Sequence, residues 1–471
     1  MKVLKNFFYN MIYQVLLIVL PLATMPYVSR VLGPDGLGKY SYTNSIMSYF
    51  VLIGSLGISL YGSRQIAYVQ DSKKSRSRVF WDVTILKIVT TTISILLLAF
   101  FLKIYNEYTS LIIAQSLTLV AIMFDVSWYF IGIEDFKKTI TRNVVVKLIS
   151  LLLIFSLVHT KSDLIIYILI ITGSTLIGNF ILIPFLKGQI YFVSINKIHF
   201  FKHVMPILLL FIPQLATQIY LVVNKTMLGQ MDSIKAVGFF SSSDTLVRLA
   251  LTIVSSISAV LMPRIASLVA KGDKKGVKDY MDKSFEFINF LSFPLVLGLI
   301  AISSKFIPLF LGKGFSVVSN LIILESPIII LISWSIAITN QYLIPSGLNR
   351  EYIMSTFSGA ISNILLNLFF IPNYGVYGAI IATLISEMIV LIYLLFGIKN
   401  KLNIKKMLFS NVYKYLLSSI SMFIIIIVID TLLPETISSV IFEIVFGVLV
   451  YIIALFFVKA DILLKWKHFF D

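Results

Sequence analysis

Ionisable side chains inside long apolar segments are the groups of this chain that could carry chemistry. Arg248 lies near the middle of one such segment, and Asp244 precedes it by one helical turn. A spacing of four residues places both side chains on one face of a helix, where they can pair. A charge inside a bilayer is costly, so it usually faces a cavity or a partner. Two hypotheses stay open: a self-neutralised structural pair, or a phosphate- or sugar-binding Arg248 that Asp244 orients.

Two further cations and three carboxylates occupy comparable places. Arg30 closes the first apolar segment, and Lys225 lies near the end of the seventh. Both are candidates for binding an anionic substrate, and both could equally extend to the membrane interface. Asp125, Glu325 and Glu387 lie within predicted spans. Each is a candidate for binding a coupling ion, H+ or Na+, or for pairing with one of the cations.

Catalytic and metal chemistry are not expected of this sequence. The chain has no cysteine and only 22 acidic residues against 39 Lys and Arg. His199 and His203 share a helical spacing of four, but no carboxylate accompanies them in the sequence, so no metal site is predicted. Gly312-Lys313-Gly314 is too short for a phosphate-binding loop. We therefore expect neither an enzyme nor a cofactor, apart from a coupling ion.

Apolar helices of bilayer length must position these groups. The composition is 58% hydrophobic and 13% charged, whereas a soluble domain has about 25% charged residues. A bilayer needs about 20 apolar residues per helix, and about fourteen such runs use almost the whole chain. The sequence predicts an all-α, polytopic membrane protein whose first run is a retained helix. The predicted spans are 8–30, 38–62, 81–103, 108–131, 143–159, 163–186, 204–228, 238–262, 285–304, 318–345, 353–371, 375–398, 412–432 and 436–458.

The links between the spans predict the orientation of the chain. Lys and Arg concentrate in the tails and in the links 63–80, 187–203, 263–284 and 399–411. Because basic links face the cytoplasm, both termini are expected there, and the number of spans must be even. The net charge of +17 is explained by this topology, so no nucleic-acid partner is expected.

A weak internal repeat predicts two lobes. Its paired residues are Pro21, Leu32-Gly33, Gly38 and Arg64 in the first copy and Pro213, Leu228-Gly229, Gly238 and Arg264 in the second. The repeat divides the chain into six-helix lobes at 1–195 and 196–400, and 401–471 adds two helices and a cytoplasmic tail. Parallel repeats about an axis along the membrane normal are an architecture of alternating-access transporters.

Three motifs resemble those of a known superfamily. Residues 29–40 (SRVLGPDGLGKY), 224–229 (NKTMLG) and 374–379 (YGVYGA) are similar to patterns of the repeat-unit flippases. These flippases form the polysaccharide-exporting branch of the multidrug/oligosaccharidyl-lipid/polysaccharide superfamily. The related lipid II flippases share the run SRVLG, and its arginine, matched here by Arg30, is considered functional there. The acidic-basic pair that follows in the lipid II flippases is absent, because PDG stands at 34–36.

The resemblance implies a flippase for oligosaccharide linked to undecaprenyl diphosphate, in the bacterial cytoplasmic membrane. Its product would serve capsule, exopolysaccharide or O-antigen assembly, and a polysaccharide polymerase and glycosyltransferases would be its partners. Transport would proceed by alternating access through a cationic central cavity containing Arg30, Lys225, Arg248 and Asp244. The alternatives are a flippase for lipid II or a teichoic-type precursor, and a multidrug or cation antiporter. An antiporter for cations should line its cavity with carboxylates, so the sign of the cavity charge discriminates.

Overall fold

The computed structural model describes residues 2–194, 196 and 198–464, and these residues form helices joined by short links. The predicted cytoplasmic tail therefore lies outside the described residues beyond 464. The helices are α1 Lys2–Ser55, α2 Ile58–Tyr68, α3 Lys73–Ile104, α4 Thr109–Met123, α5 Ser127–Gly132, α6 Phe136–Leu157, α7 Leu164–Leu182, α8 Val204–Met231, α9 Ile234–Ala270, α10 Lys274–Leu311, α11 Ser316–Glu325, α12 Ile328–Ala337, α13 Asn349–Ile398, α14 Ile404–Phe409, α15 Val412–Leu432, α16 Ile437–Phe457 and α17 Asp461–Leu464.

The chain divides into two compact units. The N-terminal unit is Met1–Gly229 and the C-terminal unit is Gln230–Asp471. Each unit has its own buried core, centred on Trp128 and Phe80 in the N-terminal unit and on Tyr415 and Tyr451 in the C-terminal unit. The lobes at 1–195 and 196–400 follow from the internal repeat and stay a prediction.

The motif at 29–40 is a break inside α1. Gly33 has φ 68° and ψ 179°, which interrupts the helix, and glycine adopts this conformation without a side-chain clash. Pro34 then opens the second half of α1, where a missing N–H costs nothing. Asp35 follows in the first turn, where a negative charge is favoured by the helix dipole, and it pairs with Lys39 at 2.6 Å.

The motif at 374–379 is a second break, inside α13. Gly375 has φ 55° and ψ −132°. A Cβ atom at this position would lie 2.6 Å from the Asp232 carboxylate, and one at Gly378 would lie 2.1 Å from the carbonyl oxygen of Phe370. Only glycine fits such close approaches. The two motifs therefore share one structural task, which is to let a long helix turn sharply.

The helices have the length and polarity of membrane spans. Within the described part of the chain, ten segments are long and apolar enough to cross a bilayer, and the bent pair Lys313–Glu325 and Ile328–Leu343 would make eleven. Large apolar side chains such as Leu96, Leu152 and Phe456 are more than 60% exposed, which suits contact with lipid rather than water. The prediction of an all-α, multi-pass membrane protein is confirmed, and the count of fourteen spans stays a prediction.

The basic links are shorter than predicted. Most of the predicted link 263–284 is helical, because α9 continues to Ala270 and α10 begins at Lys274. The link 63–80 is likewise mostly occupied by the end of α2 and the start of α3. A hydropathy pattern detects only the apolar part of a helix. These helices continue beyond their apolar part into charged residues.

Two predicted spans are broken. The span 108–131 is interrupted between α4 and α5, so Asp125 lies in a non-helical break and not within a helix as expected. The span 318–345 bends by 48° between α11 and α12, next to Pro327, and it ends in a π-helical turn at Ile338–Leu343. The first break has no glycine or proline at residues 124–126, whereas Pro327 marks the second break in the sequence.

Candidate functional site

The predicted pair on α9 is present. Arg248 Nε lies 2.6 Å from Asp244 Oδ1, at the i, i+4 spacing. The Arg248 side chain is 33% exposed and that of Asp244 is 13% exposed. The carboxylate therefore fixes the guanidinium through Nε and leaves part of its surface accessible. A guanidinium held in this way can still present donors to a second anion.

Two predicted carboxylates lie on helices that pack with α9. Glu325 ends α11 and is buried, and its Oε2 accepts a hydrogen bond of 2.5 Å from Ser243 Oγ. Glu387 is buried within α13. Because α9, α11 and α13 contact each other, the C-terminal unit brings the helices that carry Asp244, Glu325 and Glu387 together. Their roles as ion-binding groups stay a prediction.

Arg30 lies on the first half of α1, three residues before the break at Gly33. Its side chain is exposed, and a cation in the last turn of a helix is favoured by the helix dipole. The neighbouring Ser29 is fully buried and donates to the Pro26 carbonyl at 3.1 Å. Ser29 thus stabilises the last turn of this half of α1, and the adjacent Arg30 is exposed.

Lys225 lies on α8, on a segment that packs against the second half of α1. Thr226 Oγ1 forms hydrogen bonds with Ser45 Oγ at 3.1 Å and with the Tyr49 hydroxyl at 3.2 Å. A Cβ atom at Gly229 would lie 2.2 Å from the Tyr42 ring, so glycine is required for this contact. Lys225 itself is half-buried. The motif at 224–229 therefore sets the approach of α8 to α1.

Asp125 has a structural partner. Lys87, which is 2% exposed, places its Nζ 3.5 Å from Asp125 Oδ2 and donates to the Asp125 carbonyl at 2.8 Å. Asp125 Oδ1 accepts from the Ser127 backbone N–H at 2.9 Å, at the start of α5. The carboxylate thereby stabilises the break between α4 and α5 and compensates a buried lysine. This geometry favours the pairing role over the coupling-ion role for Asp125.

A buried cation of the C-terminal unit was not predicted from the sequence. Lys305 Nζ lies 2.8 Å from Asp430 Oδ1 and 2.8 Å from Glu443 Oε1, and it also donates to the Asp430 carbonyl at 3.0 Å. Lys305 falls one residue past the predicted span 285–304, while α10 continues to Leu311. Its partners on α15 and α16, Asp430 and Glu443, were detectable as acids within the last two predicted spans.

A second unpredicted cluster surrounds Asp82, which is fully buried on α3. Its carboxylate accepts from Lys202 Nζ at 2.9 Å and from the His199 backbone N–H at 2.8 Å, and it lies 3.3 Å from His203 Nε2. His203 Nδ1 is 2.6 Å from the Tyr61 hydroxyl. The expectation that no carboxylate accompanies His199 and His203 was wrong, because the fold brings Asp82 there from α3.

The Asp82 cluster is structural. A neutral imidazole satisfies both contacts, with Nε2–H donating to Asp82 and Nδ1 accepting from Tyr61. Burial lowers the pKa of His203, which favours this neutral form. The cluster therefore ties the segment 199–203 to α3, and it lacks the third ligand that a metal centre would need.

Comparison with known proteins decides the family. Family models described as "Polysaccharide biosynthesis protein" and "Lipid II flippase MurJ" match residues 3–269 and 139–455, and each covers more than half of the chain. The chain belongs to the polysaccharide biosynthesis and lipid II flippase families. The resemblance inferred from the motifs at 29–40, 224–229 and 374–379 is thereby confirmed.

Individual relatives agree with this membership. This flippase-family chain is 25% identical over 401 residues to a protein of Escherichia coli (strain K12) named "Putative O-antigen transporter", an alignment that covers 84% of this chain and 96% of that one. The solved lipid II flippase MurJ in an inward closed conformation shares the fold, with TM-score 0.78, 18% identity and coverage of 98% and 100%. An inward-facing multidrug MATE transporter is also similar, with TM-score 0.63, 15% identity and coverage of 81% and 93%.

Proposed function

We propose that this protein moves lipid-linked oligosaccharide across the bacterial cytoplasmic membrane. The observation that carries the proposal is the pair of family matches, which together extend from residue 3 to residue 455. The likeness to an O-antigen transporter over most of both chains supports a polysaccharide repeat unit as the cargo. The protein acts as a transporter and not as an enzyme.

The cargo explains why cations within the helices matter. A diphosphate cannot enter hydrocarbon without compensation, because burying an isolated charge is prohibitive. Arg248 is suited to this task, since a guanidinium presents a planar fork that matches phosphate oxygens. Asp244 holds Nε, and the Arg248 side chain is 33% exposed. We assign substrate contact to Arg248, Arg30 and Lys225, with Asp244 as the orienting group.

The orientation and energy source complete the proposal. The basic residues of the links favour cytoplasmic termini. The proposed transport loads the substrate from the cytoplasmic side, on which its oligosaccharide is assembled. Glycosyltransferases and a polysaccharide polymerase are the partners that this position implies. Glu325 and Glu387 are the proposed sites for a coupling ion, H+ or Na+, since both are buried carboxylates on helices that contact α9.

Deletion of the gene in its host separates this proposal from the alternatives. We expect surface polymer to fall and lipid-linked repeat units to accumulate on the cytoplasmic leaflet. Reintroduction of the gene should restore both to the starting level. Unchanged polymer with raised sensitivity to cationic drugs would favour an antiporter, and accumulation of lipid II with arrest of wall synthesis would favour a lipid II flippase.

A further inference from the structure

A cationic cavity lies within the N-terminal unit. It has a volume of about 310 Å³ and is lined by residues of α1, α6 and α7. Arg142 and Lys147, both on α6, contribute positive charge to its lining. None of the described residues that line it is a carboxylate. Arg248 is not among the residues that line it.

Lys147 is placed where a lone charge is costly. It is the twelfth residue of α6, which has 22 residues and so spans about 33 Å. It therefore lies near the middle of a membrane-crossing helix and is half-buried. Among the described side chains no ion pair is recorded for Lys147. A lysine at this depth needs a compensating anion, water or a polar cavity.

Arg142 is held by its neighbours. Its guanidinium donates to Asn179 Oδ1 on α7, and Asn179 Nδ2 donates to the Ala121 carbonyl at 2.6 Å. Asp125 interacts electrostatically with Arg142 as well as with Lys87. One carboxylate is thus shared between Lys87 and Arg142, while Lys147 adds a further charge. The region carries net positive charge.

Hydrogen-bond donors around the cavity are left for a ligand. The hydroxyls of Thr24, Ser150 and Thr175 each donate to a carbonyl of their own helix at 2.7–3.0 Å. The Tyr167 hydroxyl and the Asn143 amide have no hydrogen bond within the described part of the chain. These two groups line the same cavity as Arg142 and Lys147. The Tyr167 hydroxyl, the Asn143 amide and the Lys147 ammonium group therefore line one cavity with the Arg142 guanidinium, and none of its described lining residues is a carboxylate.

We propose that this cavity binds the phosphate group of a lipid. Phosphate oxygens accept charge-assisted hydrogen bonds from a guanidinium and an ammonium group. The remaining lining is largely apolar, with Leu20, Val146, Leu151 and Ile171 among its residues, so it can take the first methylene groups next to the phosphate. A cationic ligand is disfavoured by the same charges.

Two sources share this chemistry, and they have different consequences. An anionic phospholipid would occupy the cavity from the surrounding bilayer as a bound component of the protein. The phosphorylated polyprenyl carrier would instead make the cavity part of the transport route, and that version rests on the proposed function. Binding measured on the purified protein does not depend on transport, so failure of the proposed function would leave this test intact.

Native mass spectrometry of the full chain in detergent tests the proposal. The ligands are phosphatidylglycerol, undecaprenyl phosphate, diacylglycerol and inorganic diphosphate. We expect at least one of the two lipid phosphates to bind, and diacylglycerol not to bind. Lys147→Gln should weaken that binding at least tenfold, while Lys147→Arg should retain it. Lys138→Gln is the matched control, because Lys138 is on the same helix, pairs with Asp135 at 2.9 Å and does not line the cavity.

Each outcome supports or overturns the proposal. Lys147-dependent binding of phosphatidylglycerol identifies a bilayer lipid, and the same dependence for undecaprenyl phosphate alone identifies the carrier. Binding of inorganic diphosphate without either lipid contradicts a lipid ligand. Equal binding by the protein, Lys147→Gln and Lys138→Gln would also overturn it. Tyr167→Phe, which changes no charge, provides a second variant and should weaken binding by a smaller factor.

Discussion

Lys305 and Arg248 are both cations on membrane-crossing helices of the C-terminal unit, and their surroundings differ. The Lys305 side chain is 5% exposed and contacts two carboxylates as well as backbone carbonyls. Arg248 is 33% exposed and pairs with Asp244 one turn away on its own helix. A buried cation such as Lys305, which pairs with acids from other helices, fixes those helices together. A partly exposed cation with a local acid remains able to bind a further anion.

The Lys305 contacts explain how the last two spans are attached. Asp430 lies in the last turn of α15 and Glu443 lies on α16, so one ammonium group on α10 connects three helices. At the other end of α15 the Tyr415 hydroxyl donates to Glu286 of α10 at 2.9 Å. An apolar cluster that includes Met422 and Tyr451 fills the space between them. The appended helices are thus fixed to α10 at both ends.

Replacing Lys305 should have the largest effect on stability. Lys305→Met removes the cation and leaves the fully buried Glu443 carboxylate and the partly exposed Asp430 carboxylate without it. Breaking a buried pair in this way costs about 3–5 kcal/mol. Equilibrium unfolding in mixed detergent micelles should show the loss, with α15 and α16 released first. Lys313→Met is the matched control, because Lys313 is exposed near the same helix end, and a surface change costs about 0.5 kcal/mol or less.

A charge-free version of the same cluster sharpens this result. The triple variant Lys305→Met, Asp430→Asn, Glu443→Gln should recover most of the lost stability, because no uncompensated charge remains. If Lys305→Met unfolds like Lys313→Met, the ion cluster does not hold the helices together. Lys305 would then not differ from a surface lysine in its contribution to stability.

Replacing Arg248 should have a small effect on stability. Arg248→Met removes a pair that is partly accessible, and such pairs contribute about 0–1 kcal/mol. The same unfolding measurement should therefore place Arg248→Met within about 1 kcal/mol of the unmodified protein. A loss as large as that of Lys305→Met would show that the two regions do not differ and that Arg248 is structural.

Local sequence patterns predicted the α9 pair, and long-range contacts escaped them. Arg248 and Asp244 are four residues apart, so helix geometry alone brings them together. Asp430 and Glu443 reach Lys305 from 125 and 138 residues away, and Asp82 reaches His203 from 121 residues away. Such pairings depend on which helices pack together. A single sequence, taken alone, does not contain that information.

The breaks in the helices were predictable only in part. Gly33 stands before Pro34, and this order marks a helix boundary in the sequence. The break that holds Asp125 has no glycine or proline and lies within apolar residues, so hydropathy predicted a continuous span. Its cause is the packing of Lys87 and Ser127 around the carboxylate. Candidate residues could be selected from the sequence by residue type and by their position within a predicted span. Their partners could be identified only from the folded structure.

Transport by the purified protein in proteoliposomes tests the central claim most directly. The substrate is a lipid-linked repeat unit, and a membrane-impermeant oxidant measures the fraction of its sugar that reaches the outer leaflet. We predict transport by the unmodified protein and by Lys313→Met, a loss of about tenfold or more in Arg248→Ala through one charge-assisted contact, and partial transport in Arg248→Lys. No transport by the unmodified protein would contradict the flippase function. Transport by Arg248→Ala at the unmodified rate would contradict the role of Arg248.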